Sequence, residues 1–320
     1  MMNAFRLTAA ALTAICVTTG ALAADKFVAI TQIVEHPALD ACRKGVKDVL
    51  AENGFVEGKN LKWAYQSAQG NVATAAQIAK KFVGDGPDVI VAIATPSAQT
   101  VVASTKTIPV VFSAVTDPVA AKLVSNWENP GKNVTGTSDM APIDKHIALI
   151  KRITPNVKKL GVLFNPGEVN SVSSLDAVKK AAPALGIEVF EGAAPKSSEV
   201  LAAARALVGK VDAFYVPTDN TVVSAFEAVV KVGIDAQLPV YAADTDSVPR
   251  GAIAALGFNY YEVGRQTGEM VLSILKGKAA GSIPVSGVKK MDLFLNVKSA
   301  AKMGVTIPDA VISEATKVVK

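Results

Sequence analysis

Six short polar turns hold the residues with chemistry to offer: Gln32, Glu35 and His36; Thr95-Pro96-Ser97; Thr116-Asp117; Asn165, Glu168, Asn170 and Ser171; Thr218-Asp219-Asn220; and Asp244-Thr245-Asp246. Thr95-Pro96-Ser97 sets a proline at a first helical position between two hydroxyls, so its hydroxyls and free amides suit a carboxylate. Asn170 and Ser171 also precede a helix and are placed to clamp the same anion. Asp219, Asp244 and Asp246 end strands of the second half and offer a counter-charge to an ammonium group, Asp244 first among them. Together these groups suit a small zwitterion. The same residue types cap helices and turns, and spacing alone leaves both roles open. His36 stands in the loop after the first strand, either on the rim of a site or as a hydrogen-bonded surface residue.

Catalytic patterns are missing. The chain has no G-x-S-x-G elbow, H-E-x-x-H, Walker loop or G-x-G-x-x-G, and its two histidines, His36 and His146, are too far apart in sequence to suggest a metal site. The expectation is a binding protein that needs no cofactor or metal, not an enzyme. One rival is a secreted enzyme acting through Glu35 and His36 in the same cleft. A second is a sensory subunit that presents its ligand to a membrane receptor.

The elements that must position these turns alternate. Short β-branched runs read as strands at Phe27–Thr31, Leu61–Tyr65, Val89–Ala94 and Val110–Ser113, then at Leu160–Phe164, Glu188–Glu191, Ala213–Val216 and Val240–Ala242. Ala-rich helical stretches such as Leu39–Asn53, Ala73–Val83 and Val200–Val208 fall between them, the rhythm of βαβ units. The halves repeat each other: "PDVIVAIATPSAQTVVA" then "IPVVFSAVTDP" is answered by "VDAFYVPTDNTVVSAF" then "LPVYAADTDSVP".

The expected fold is α/β, two similar Rossmann-like lobes with parallel sheets joined by a hinge. Ligands of such sheets lie beyond the carboxyl ends of the strands, where all six turns fall. The chain is expected to cross between lobes near Gly136 in "NVTGTSDMAP" and again near Leu256-Gly257-Phe258, before a helix Tyr261–Lys276 that stops at Gly277. The lobes are then residues 24–136 with 259–282, and 137–258. Residues 283–320, with a strand near Leu293–Asn296 and a helix near Ala310–Val319, are assigned to the second lobe.

Residues 1–23 read as a cleaved export signal: Arg6, an acid-free apolar run from Leu7 to Leu22, and Ala21-Leu22-Ala23 at the cut. Cys16 follows Ile15, which lacks the small side chain of a lipoprotein signal. Removing Arg6 takes the net charge from +5 to +4, with scattered lysines, so nucleic acid is not an expected partner. Cys42 is then the only cysteine and sits on the apolar stripe Leu39, Cys42, Val46, Val49, Leu50, a buried structural thiol.

The segments "ITQIVEHPALD", "VAIATPSAQ", "VFSAVTDPV", "NVTGTSDM", "LFNPGEVNS", "YVPTDNTV" and "GFNYYEVGRQTG" resemble the ABC transporter substrate-binding family that includes the tryptophan-binding TrpX-type proteins. The resemblance runs from about Phe27 to Val319. It implies a type I periplasmic-binding fold, an aromatic amino acid closed between two lobes, and a permease with an ATPase in the inner membrane as partners of a monomeric periplasmic protein. Carried over by position, the family's cleft loops fall on Gln32 and His36, on Thr95, Pro96 and Ser97, and on Thr116 and Asp117. In the second half they fall on Asn170 and Ser171, on Thr218, Asp219 and Asn220, and on Asp244. Trp127 and Tyr260 lie near the expected crossings, either walling a ring or packing the core.

Overall fold

The structure is a computed structural model that describes residues 25–288 and 290–320; the expected export signal lies outside them. The first half supplies β1 (Lys26–Gln32), α1 (Pro37–Glu52), β2 (Leu61–Ser67), α2 (Val72–Asp85), β3 (Val89–Ile93), α3 (Thr95–Ser104), β4 (Val110–Val115) and β5 (Val134–Ser138). The second half follows with α4 (Ile143–Ile153), β6 (Lys159–Phe164), α5 (Val169–Ala181), β7 (Glu188–Ala193), α6 (Val200–Leu207), β8 (Ala213–Val216), α7 (Asn220–Ser224), α8 (Phe226–Ala236), β9 (Val240–Ala242) and β10 (Ala254–Gly257). The chain ends with α9 (Tyr260–Leu275), β11 (Ser286–Gly287), β12 (Asp292–Asn296), α10 (Val297–Lys302), α11 (Asp309–Ile312) and β13 (Lys317–Val319).

Two sheets result. One runs β11-β5-β4-β3-β1-β2 and is wholly parallel; the other runs β13-β12-β10-β9-β8-β6-β7, with β12 antiparallel to β10. Five strands of each share one topology, β5-β4-β3-β1-β2 matching β10-β9-β8-β6-β7, so the repeat read in the sequence is a repeat of fold. The central strands are buried throughout, as VIVAI in β3 and AFYV in β8 require of strands covered on both faces. Each sheet carries its own apolar core.

The helix α9 returns to the first sheet and lies against α1. Their backbones approach so closely that a Cβ at Gly264 would stand 1.9 Å from the Cys42 carbonyl oxygen, which only glycine tolerates. Cys42 is fully buried in this contact, with Sγ 2.9 Å from Ser113 Oγ, and burial pushes its thiol up to about 12. It is a structural residue, protonated and inert.

Three sequence expectations change. The stretches around Gly136 and Gly257, expected as crossings, are the strands β5 and β10; the chain crosses after each. Gly136 sits inside β5 because a Cβ there would meet the Phe112 carbonyl oxygen at 2.1 Å. The C-terminal segment is divided between the sheets, since β11 pairs with β5 while β12 and β13 extend the second sheet. Finally, the expected helix near Ala310–Val319 stops at Ile312, and Lys317–Val319 forms a strand. The β-branched pair Val318-Val319 finds an open edge at β12, and that pairing outweighs the helical leaning of Ala315 and Glu314.

Candidate functional site

The C-terminal ends of both sheets face each other across a cleft. On the first rim the chain enters α3 directly from β3 through Ala94, which takes a left-handed φ of 73°, and Ala114 in β4 takes a φ of 53°. Such conformations cost about 1–3 kcal/mol each in a non-glycine residue, so the surrounding fold imposes them. Their effect at Ala94 is to begin α3 without a side-chain cap, leaving its first-turn amides without an intrahelical acceptor. Thr95 and Ser97 lie within this first turn. Both are buried, and neither hydroxyl makes a hydrogen bond within the protein. Capping therefore does not account for them.

The second rim is built around Glu168. Its carboxylate accepts from Asn165 Nδ2, Asn170 Nδ2, the amide and side chain of Asn220, and the amide and hydroxyl of Thr221. That ties the loop after β6 to the start of α7. Beside it Asp219 caps α7 through Val222 N at 2.6 Å and also accepts from Asn165 N and Ser171 Oγ. Asp244 receives Ser247 N at 2.8 Å and Ser247 Oγ at 2.6 Å.

Between the rims lies a narrow cavity lined by His36, Ala38, Leu39, Ala114, Thr116, Asp139 and Tyr260 from one side and Asn170, Thr218, Asp219, Asn220, Val223 and Asp244 from the other. Seven of the expected residues meet here: His36, Thr116, Asn170, Thr218, Asp219, Asn220 and Asp244. Pro96 opens onto the adjoining stretch of cleft with Ile33, Glu168 and Asn220. Gln32 does not reach the cavity, because its amide is held by Val34 O, Asp40 and Arg43. Asp117 caps its own turn through the amides of Val119 and Ala120. Ser171 donates to Asp219, and both N–H groups of Asn170 are committed, so neither residue clamps an anion as the spacing suggested. Glu35 is exposed and bonded to Tyr65, which separates it from His36 and from the cavity.

Asp139 was not among the expected residues. It ends β5 and accepts from Thr116 Oγ1 at 3.0 Å and Tyr260 OH at 2.7 Å. The rule that selected the other strand ends would have found it had "VTGTS" been read as a strand. Tyr260 lines the cavity, whereas Trp127 packs on the first core and against the backbone of Gly287.

Charge in the cavity has one sign. Burial raises Asp139 and Asp244, and burial with the nearby Glu168 raises Asp219. Burial, aided by Arg250, lowers His36 to about 3, so its imidazole is neutral. With no lysine or arginine in the lining among the described residues, the site suits a ligand whose cationic end faces the carboxylates. The uncapped turn of α3 suits an anionic group at the adjoining stretch of cleft onto which Pro96 opens, although Thr95 and Ser97 do not themselves line the cavity.

The lobes also touch directly: Thr116 Oγ1 on the first lies 3.1 Å from Thr218 Oγ1 on the second, which in turn contacts Ser174 Oγ at 3.0 Å. Thr218→Val removes this bridge. Ligand release is expected to quicken by about 2- to 10-fold, the worth of one hydrogen bond, with the unfolding midpoint unmoved. Stopped-flow fluorescence showing an unchanged release rate would remove the bridge from the account of closure.

Two lobes of one topology, closed on a small polar cavity at their strand ends, define a solute-binding protein of the type I periplasmic-binding fold. The chain belongs to the ABC transporter substrate binding protein family, whose model matches residues 27–319. It is 44% identical over 272 residues to a tyrosine-binding protein of Clostridioides difficile strain R20291, covering 85% of this chain and 79% of the relative. An ABC domain in complex with L-Trp from Streptococcus pneumonia superposes with a TM-score of 0.89 at 36% identity, covering 92% of this chain and all of that one. A ligand-free, open substrate-binding protein from Clostridium difficile, with adhesive properties, gives 0.69 at 43% identity over 92% of this chain and 99% of that one. The less identical, ligand-bound relative matches better over the same share of the chain. By this measure the chain as a whole is nearer in shape to the L-Trp complex than to the open protein. Among the described residues no helix is long and apolar enough to cross a membrane.

Proposed function

We propose that this chain is the periplasmic subunit of an ABC importer that captures an aromatic amino acid by closure of its lobes, performs no chemistry on it, and hands it to a permease coupled to an ATPase. In this reading the protein works as a monomer and loses its export signal near Ala23. The ligand's carboxylate meets the first turn of α3 with Thr95 and Ser97. Its ammonium group meets Asp244 and Asp139, and its ring lies among Leu39, Val223 and Tyr260. The observation that carries the reading is the pairing of an uncapped helix start and its two unmatched hydroxyls on the first rim with carboxylates in the adjoining cavity, whose lining holds no lysine or arginine among the described residues. The tyrosine-binding and L-Trp-bound relatives support the ring.

Closure needs contacts that the open state lacks, and a zwitterion bridging both rims supplies them. A thermal-shift and calorimetric panel of amino acids and of aromatic acids tests this. At 100 times its dissociation constant the true ligand stabilises the fold by about 2.7 kcal/mol, and mass spectrometry should recover it unaltered. Stabilisation by none of the aromatic amino acids would end the proposal, and a chemically changed ligand would favour the enzyme reading.

A further inference from the structure

The geometry points to Asn170 as the residue that reads the ligand's ring: its Oδ1 accepts a hydrogen bond from a ring-borne N–H or O–H, so the site prefers aromatic amino acids carrying such a donor to phenylalanine. The inference rests on the aromatic amino-acid reading above and sharpens it.

The direction of the Asn170 amide is fixed by what surrounds it. Its Nδ2 donates to Glu168 Oε2 at 3.1 Å and to the Thr218 carbonyl oxygen at 2.8 Å. Both are acceptors only, so a flipped amide would set oxygen against two oxygens. Glu168 is in turn held by Asn220 and Thr221, which makes it the positioning residue for this amide. Oδ1 is therefore turned away from both partners. Asn170 is only 3% exposed and lines the cavity, and Oδ1 makes no hydrogen bond within the protein.

A buried acceptor left unmatched costs about 1–3 kcal/mol, so a ligand that brings a donor gains over one that does not. A carboxylate is repelled there. The ammonium group has its match in Asp139, which holds Tyr260, and in Asp244, whereas Asp219, on the same rim as Asn170, is taken up by Val222 N, Asn165 N and Ser171 Oγ. A hydrogen-bonded chain through Thr218 and Thr116 leads from Asn170 to Asp139 and sets the two apart. What remains for a neutral acceptor beside Val223 is a neutral donor on the ring.

Calorimetry of L-tyrosine, L-tryptophan and L-phenylalanine against the wild type, Asn170→Leu and Asn170→Ala separates the possibilities. The wild type is expected to bind phenylalanine at least about 100-fold more weakly than the preferred ring-donor amino acid, as sites built around a ligand's hydrogen bond do. In the variants that ratio should fall to about 3-fold or less, through loss of the ring-donor ligands. The ratio cancels any general weakening, and the alanine variant serves if the leucine variant fails to fold. Wild-type affinity for phenylalanine equal to the others overturns the inference, as does a ratio that survives in a folded variant. Equal weakening of all three would move Asn170 to the shared ammonium group and overturn it too. A wild type that binds none of the three overturns the amino-acid reading itself.

Discussion

Asp244→Asn is expected to weaken capture of the amino acid by about 100-fold or more while leaving the protein folded. Breaking one side of a buried, hydrogen-bonded charge pair costs about 2–5 kcal/mol in binding. Asp244 is 5% exposed and lines the cavity, and no basic side chain lines the cavity to compensate it. Arg250 acts on it from outside the lining, so a ligand ammonium group would be its counter-charge within the cavity. Asparagine keeps an oxygen for the Ser247 amide, so the cap on that turn survives in part. Asp244→Ala removes the cap as well and should cost about 1 kcal/mol of stability in addition. The comparison of the two variants isolates charge from capping. Calorimetry at fixed salt, paired with an unfolding curve, reads both quantities, and an unchanged dissociation constant in the asparagine variant would take Asp244 out of the site.

Much of this arrangement was legible beforehand, because strands buried on both faces must be apolar runs, and "VIVAI", "VVFSAV" and "AFYV" announce themselves. The duplicated rhythm followed from the same runs. Strand ends then selected seven cavity residues correctly as neighbours in space. What the sequence hid was pairing. Ser171 and Asp219 are 48 positions apart, and nothing local says that one satisfies the other. Likewise Glu168 reads as one more polar loop residue until α7 is brought against it. Asp139 was hidden by a strand made of threonine, serine and glycine, whose burial comes from its neighbours β4 and β11 rather than from its own hydropathy. Leu39 is core, as its stripe suggested, and it also lines the cavity, which helical periodicity alone does not reveal.

The response to acid should come from buried groups that oppose one another. Burial lowers His146 to about 4 and His36 to about 3, so both fold as neutral imidazoles. Their contribution is fully present above the unfolded histidine value near 6.5 and is lost as pH falls through the window down to those folded values. Asp246, raised by burial to about 6, works the other way, as do Asp139, Asp219 and Asp244. For them stability is fully present below the unfolded carboxylate value and is lost as pH rises through the folded one. The histidine share can be isolated at His146, whose Nδ1 lies 2.7 Å from Tyr215 OH in the second core, away from the cavity. The other charged group acting on it is Asp144, on its own helix. His146→Gln costs stability at neutral pH by losing that contact, a loss that does not vary with pH. Relative to the wild type it should regain about 2–3 kcal/mol as pH falls from about 7 to about 4.5, since 1 pKa unit is worth about 1.4 kcal/mol. Urea unfolding across that range measures the difference, and parallel stability curves for the two proteins would show that His146 carries no proton-linked cost.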